Sequence, residues 1–235
     1  DIQRHTDHID YYVRFPSTDN KTIVYHAGAD LFAYDVKTQT SAKIPIDYYS
    51  PQVQRYRKFV SPSQYLTGYE LHPDGHWLAL TIRGKVFTMG LWEGAVQQYG
   101  KPDGVRYRFP GYLKGGKKVV VSSDSSGEEC IEVYKADESA QGDVLSDLNA
   151  GRPDDFITSP VKDQVALVNH QRELVLIDLE KKMKKVIDKT SEHAGIAGVA
   201  WSPDGAWIAY GFFNSPITSI IKLYHLKTNK SYEVT

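Results

Sequence analysis

The sequence predicts an all-β fold made of about five repeats of one four-stranded antiparallel unit. Three observations lead there. First, a turn-and-strand signature recurs. Residues 202–212 read Ser-Pro-Asp-Gly-Ala-Trp-Ile-Ala-Tyr-Gly-Phe, residues 72–82 read His-Pro-Asp-Gly-His-Trp-Leu-Ala-Leu-Thr-Ile, and both contain Pro-Asp-Gly-X-Trp-aliphatic-Ala. Second, each copy is followed by another alternating strand and a polar turn. Third, aromatic residues reach 12%, with 16 Tyr and 4 Trp, and rings suit a pleated, half-buried surface.

Pro-Asp-Gly is a turn with a mechanism. Proline presets φ, the aspartate side chain bonds its own backbone, and glycine accepts positive φ. Weaker copies keep the same order at residues 15–25, 113–121 and 159–168. With Asn20, Gly75, Gly116, Asp163 and Gly205 as equivalent turn positions, the intervals are 55, 41, 47 and 42 residues. First strands are expected at about 11–16, 67–72, 105–109, 155–159 and 197–202. Third strands follow at Leu31–Asp35, Val86–Met89, Ile131–Tyr134, Leu174–Asp178 and Ile220–Tyr224, and edge strands at 41–44, 185–187 and 232–234.

A unit of about forty residues with four strands matches one propeller blade. The 235 residues are therefore expected to form a single β-propeller segment, 1–235. Its blades are at approximately 8–46, 63–100, 104–147, 153–189 and 194–235. The stretch 178–190 carries a helix-like charge pattern but sits where a blade hairpin belongs. The longest insertion, Asp47 to Leu66, holds Tyr48, Tyr49, Arg55, Arg57 and Lys58 and is expected on one rim.

Composition removes several classes of function. Lys plus Arg number 28 against 29 for Asp plus Glu, so the basic balance of a nucleic-acid binder is missing. No apolar run approaches the ~18 residues of a membrane-spanning helix. Cys130 is the single cysteine, so no internal disulfide forms, and one thiol suits either redox compartment. The chain starts at Asp1 without a methionine, which suggests a fragment.

Several segments together resemble one family. They are Tyr12-Val-Arg-Phe-Pro16, Arg83-Gly-Lys-Val-Phe87 leading into Trp92-Glu-Gly94, and Ser126-Gly-Glu-Glu-Cys-Ile-Glu-Val133. With the Ser-Pro-Asp-Gly blades, they are similar to the second, seven-bladed propeller of the tricorn peptidases. The Ser-Pro-Asp-Gly repeat is shared with the Tol-associated periplasmic propeller. The resemblance implies a partial ring of about five blades from a cytosolic serine peptidase that trims oligopeptides. It further implies a homo-oligomer (a hexamer in the family), with PDZ-like and catalytic domains downstream of Thr235. No catalytic residue, cofactor or metal is then expected in the chain itself. An open ring would leave two apolar blade faces, which favours self-association or a tightened five-blade ring.

Four first-strand residues are candidates for lining a peptide passage: Tyr12, Arg14, Arg106 and Arg108. Arginines there would attract peptide carboxylates by charge and by bidentate hydrogen bonds. The alternative is that they merely pair with nearby acids. Trp77 and Trp207, at one offset from Gly75 and Gly205, are expected at equivalent, buried sites between blades. Two other function classes remain open: an interaction propeller of the periplasmic Tol-associated type, and a five-bladed glycosidase using Asp10, Glu70 and Asp155.

Remaining motifs have plain readings. No Gly-x-Ser-x-Gly, Walker loop, His-Glu-x-x-His or Cys-x-x-Cys is present. His5 and His8 could start a metal site but lack further ligands. The acidic turn Asp124–Glu129 lacks the ordered spacing of a calcium loop. The basic cluster Lys181–Lys185 fits a solvated turn.

Overall fold

The structure is a computed structural model that describes residues 3–47, 49 and 61–234. They form twenty strands in five antiparallel four-stranded sheets, each in sequence order from first strand to edge. The architecture is the expected β-propeller. No α-helix occurs among the described residues; the helical elements are short 3-10 turns at Pro62–Gln64, Lys114–Gly116 and Ser146–Leu148. Most of the rim insertion, residue 48 and residues 50–60, lies outside the described residues.

The chain divides into two compact units, Asp1–Arg57 and Lys58–Thr235. The first holds one sheet: β1 (Val13–Thr18), β2 (Thr22–Ala27), β3 (Asp30–Asp35) and β4 (Thr40–Lys43). The second unit holds four. Its first sheet is β5 (Leu66–Leu71), β6 (Trp77–Ile82), β7 (Lys85–Gly90) and β8 (Gln97–Tyr99). Next comes β9 (Tyr107–Tyr112), β10 (Lys118–Ser123), β11 (Cys130–Lys135) and β12 (Glu138–Leu145). The third is β13 (Pro153–Thr158), β14 (Gln164–Asn169), β15 (Glu173–Asp178) and β16 (Met183–Lys189). The last is β17 (Ile196–Trp201), β18 (Trp207–Phe213), β19 (Ser219–His225) and β20 (Lys230–Glu233).

Within the second unit the sheets stack face to face, with first strands adjacent: β5 beside β9, β9 beside β13, β13 beside β17. The second strands show why the sequence carries near-continuous apolar runs there. Val119 and Val121 of β10 pack with Ala79, Val86 and Tyr99 of the preceding blade. Val120, between them, packs with Phe156, Val165 and Leu167 of the following one. Ala166 and Val168 continue to Ile196, Ile208 and Tyr210. Because side chains alternate across a strand, burial on both faces demands apolar residues at every position.

The repeated turns share one hydrogen-bond frame. The amides of His72, Leu113, Ser159 and Ser202 each donate to the carbonyl five residues on, at 2.8, 3.0, 2.9 and 3.0 Å. Gly75 and Gly205 have φ of 76° and 65°, the left-handed region in which glycine pays no Cβ penalty. Asn20 and Gly116 also lie there, at 71° and 69°. Asp163, the fifth proposed turn position, is not among the positive-φ residues. Within the shared frame this turn adds a tighter bond, Gln164 N donating to Lys162 O at 2.8 Å.

Each first strand carries an irregularity near its start: the register against the second strand shifts at Phe15–Pro16, Thr67, Phe109–Pro110, Asp154 and Gly198–Val199. Phe15 and Phe109 adopt φ of 50° and 51°, which is strained for a bulky residue. Such bulges re-aim the side chains beyond them.

Candidate functional site

Arg14 and Arg108 occupy the same place, second in β1 and β9, each followed by Phe-Pro. Tyr12 and Arg106 are likewise equivalent, two residues earlier. The four candidates therefore form two matched pairs. Sequence reading missed the signal, the repetition of Arg-Phe-Pro at 14–16 and 108–110.

The environments differ. Tyr12 is 69% exposed, and Arg14 is exposed with no ion pair among the described residues. Arg106 and Arg108 converge on one carboxylate. Glu129 Oε1 accepts from Arg106 Nη2 at 3.0 Å and from Arg108 Nη1 at 3.4 Å. Its Oε2 accepts from Ser122 Oγ at 2.9 Å. Glu129 is largely buried while Arg106 stays mostly exposed. The Arg108 guanidinium also lies 4.6 Å over the Phe109 ring, a cation–π contact. Asp124 accepts from the Arg106 amide at 2.7 Å. The acidic turn thus anchors these arginines.

A second polar constellation was not foreseen. Glu70, fifth in β5, accepts from the Tyr112 amide of β9 at 3.3 Å and from Thr158 Oγ1 of β13 at 2.9 Å. One carboxyl group therefore spans three consecutive blades. Gly111 makes room: a Cβ there would lie 2.6 Å from Thr158 Cγ2 and 3.3 Å from Glu70 Oε2. Burial pushes the Glu70 carboxyl above the usual glutamate range, against the two hydrogen bonds that favour ionisation. Asp155, named with Glu70 and Asp10 in the glycosidase reading, accepts from the amide of Phe156 at 2.8 Å; Asp10 belongs to the other unit.

A third constellation lies inside the second sheet stack. Glu132 is buried and accepts from Ser123, Ser125 and Tyr134. Cys130, also buried, has Sγ 3.5 Å from Ser123 Oγ and 3.8 Å from Ser125 Oγ. Burial, and then the hydrogen bond to Glu132, push the Tyr134 phenol up.

The two Pro-Asp-Gly tryptophans do start equivalent second strands, but burial of both rings does not hold. Trp77 is 38% exposed and borders a cavity of about 330 Å³ between the blades of β5–β8 and β9–β12. Trp207 is half-buried, 4.3 Å from the His225 ring and 5.9 Å from Tyr232. First residue of its strand, each indole sits at the rim, beyond the full-depth packing of the sheets.

The other motifs are internally engaged. His5 and His8 bond Tyr34 and Tyr25 hydroxyls at 2.9 and 3.0 Å. Lys181 and Lys182 pair with Asp178 and Asp143, and Lys185 reaches Tyr224 and Asn229. No grouping of three or more potential metal-ligating His, Cys, Asp or Glu occurs among the described residues, and no helix is long and apolar enough to cross a membrane.

Comparison with known proteins bears on this arrangement. The family described as "Tricorn protease second beta propeller domain" matches residues 66–235. A "Tricorn protease homolog" of Saccharolobus solfataricus is 32% identical over 96% of this chain and 20% of its own length. The "Tricorn protease" of Thermoplasma volcanium is 27% identical over 100% of the chain and 22% of its own length. The chain thus spans about a fifth of these curated relatives. Among solved structures, that of the tricorn protease superposes over 100% of the chain and 23% of its own, with a TM-score of 0.62 at 23% identity. TolB from Acinetobacter baumannii reaches a TM-score of 0.51 at 16% identity, over 94% of the chain and 53% of its own. At these identities, the structural likenesses concern the fold.

Proposed function

The chain belongs to the tricorn protease family, as part of its second β-propeller domain, and on that premise we propose that it is a non-catalytic segment of a larger serine peptidase. In this reading residues 1–235 act as one propeller segment that docks oligopeptides on its first strands and scaffolds assembly. Downstream PDZ-like and catalytic domains supply the chemistry, and the whole protein is a cytoplasmic homo-oligomer.

One observation supports the docking role: the matched arginines at the second position of β1 and β9. A peptide's terminal carboxylate offers two oxygens to a planar guanidinium fork, a geometry a lysine cannot reproduce. Arg14 is exposed and unpaired among the described residues, so it can accept such a ligand without losing an internal partner. Arg108 already shares Glu129 with Arg106, so a peptide carboxylate there competes with Glu129.

Fluorescence anisotropy tests this with a labelled, N-acetylated oligopeptide ending in a free carboxylate, beside its C-terminal amide. The carboxylate should bind the chain more tightly, and Arg14→Ala should weaken it. Equal binding of the amide would remove the arginines from the function. No hydrolysis of either peptide is expected from the chain alone.

A further inference from the structure

The cavity beside Trp77 lies at the opposite end of the first strands from Arg106 and Arg108. It is walled by residues at the turns that close β5–β6, β9–β10 and β11–β12, together with β7 and β8, the outer strands of the β5–β8 sheet. From its lining we propose that this cleft is a binding site for a primary ammonium group on an aliphatic stem: a lysine side chain or the amino terminus of a peptide. The proposal goes beyond the arginine reading and does not depend on it.

The floor is built. The His72 ring sits where a Cβ on Gly116 would be, 1.6 Å from its Nε2. The ring is held by Nδ1 bonded to Asp74 Oδ1 at 2.5 Å and by Tyr112 edge-on at 4.7 Å. A side chain on Gly116 would displace the ring and close the space. The Trp77 indole supplies an apolar wall; a Cβ on Gly94 would lie 3.1 Å from its Cη2, so a glycine there leaves the ring its place.

The polar groups select the ligand. Tyr99 is satisfied internally: its hydroxyl donates to Ala136 O at 2.6 Å and bonds Thr88 at 3.1 Å. Asp137 and Gln97 also line the cleft, and neither side chain has a hydrogen bond or ion pair among the described residues. Asp137 nonetheless acts electrostatically inside, where its charge helps raise the Tyr99 phenol after burial does so. An uncommitted carboxylate, an uncommitted amide and an indole face are complementary to a cation with a hydrocarbon stem. The ammonium takes the carboxylate, the stem takes the ring, and cation–π attraction adds to both. A cavity of about 330 Å³ suits one side chain with its flanking peptide groups, at the small end of ligand pockets.

The 235-residue chain, labelled with ¹⁵N, is titrated with three blocked probes. These are N-acetyl-lysine methylamide, trialanine amide with a free amino terminus, and N-acetyl-norleucine methylamide, which has the stem without the charge. Indole N–H signals are followed, with Trp77 assigned through Trp77→Phe. Saturable movement of the Trp77 signal is expected with one or both amines, and the pair separates side-chain from terminal recognition. Norleucine should leave it in place. Asp137→Asn should weaken amine binding at least about fivefold, as expected for losing the charge partner at a partly exposed site. Equal response to norleucine, no saturable response to either amine, or an unchanged affinity in Asp137→Asn would each overturn the proposal. None of these probes carries a free carboxylate, so failure here is distinct from failure of the arginine site.

Discussion

Oε1 of Glu70 lies 2.9 Å from Oγ1 of Thr158, although 88 residues and one whole blade separate them. The bond passes in front of Gly111, on the intervening strand β9. It ties three first strands through a single carboxyl group, and burial outweighs its two hydrogen bonds.

That imbalance sets a pH dependence. A carboxyl whose folded-state pKa is raised stabilises fully below the ordinary glutamate range, and the contribution is lost as pH rises through the raised value. Glu70→Gln keeps an acceptor for Tyr112 N and Thr158 Oγ1 without the charge. The variant should melt higher than the parent at neutral pH, and the gap should shrink on acidification through that window. Thermal melts across pH 4–8 check this; an unchanged gap would show that Glu70 titrates normally.

Gly111→Ala should be costly. The new Cβ meets the branched Cγ2 of Thr158, which cannot swing away without losing Glu70. Overpacking of this kind costs about 1–3 kcal/mol. Thr158→Ser removes Cγ2 but keeps the hydroxyl, so the double variant should recover much of the loss. Urea denaturation of all four proteins measures the coupling.

Glu129→Gln should act in two directions. Two arginines lose their carboxylate, and stability should fall by about 1–2 kcal/mol, less than for a fully buried ion pair because Arg106 is largely exposed. The same change removes the internal competitor for Arg106 and Arg108. Affinity for a peptide carboxylate should therefore rise, read by anisotropy. A stability loss with unchanged affinity would leave these arginines a purely internal role.

Trp207→Ala should cost more than Trp77→Ala. The first removes a ring in contact with His225 and Tyr232, worth about 2 kcal/mol or more. The second removes a ring that borders open space, at a cost nearer about 1 kcal/mol. Denaturant midpoints of the two variants decide the order.

The all-β blades were legible because their information is local. Pro-Asp-Gly turns, both-face apolar runs such as Val119–Val121, and regular spacing all act within one blade. First strands were placed within three residues at every end, since strand ends are set by hydrogen bonds across the sheet and not by pattern alone. The site was legible only as residue types. Whether Arg108 faces an open axis or Glu129 depends on a hairpin twenty residues later. Glu70 meets Thr158 because Gly111 has no side chain, and a missing group leaves no pattern to find. The exposure of Trp77 depends on the turns of the next blade. Asp163 looked like a turn glycine's equivalent, yet it is not at positive φ, and its turn holds an extra bond from Gln164 N to Lys162 O.

Cys130 gives the molecule a built-in clock. The single thiol is buried in the sheet of β9–β12, beside the serines that hold Glu132. A thiol reagent reaches it only when that blade comes apart. The rate of alkylation under native conditions therefore counts blade openings directly. Because no second thiol competes, the count needs neither an introduced label nor a denaturant, and any ligand that clamps the neighbouring blades would slow it.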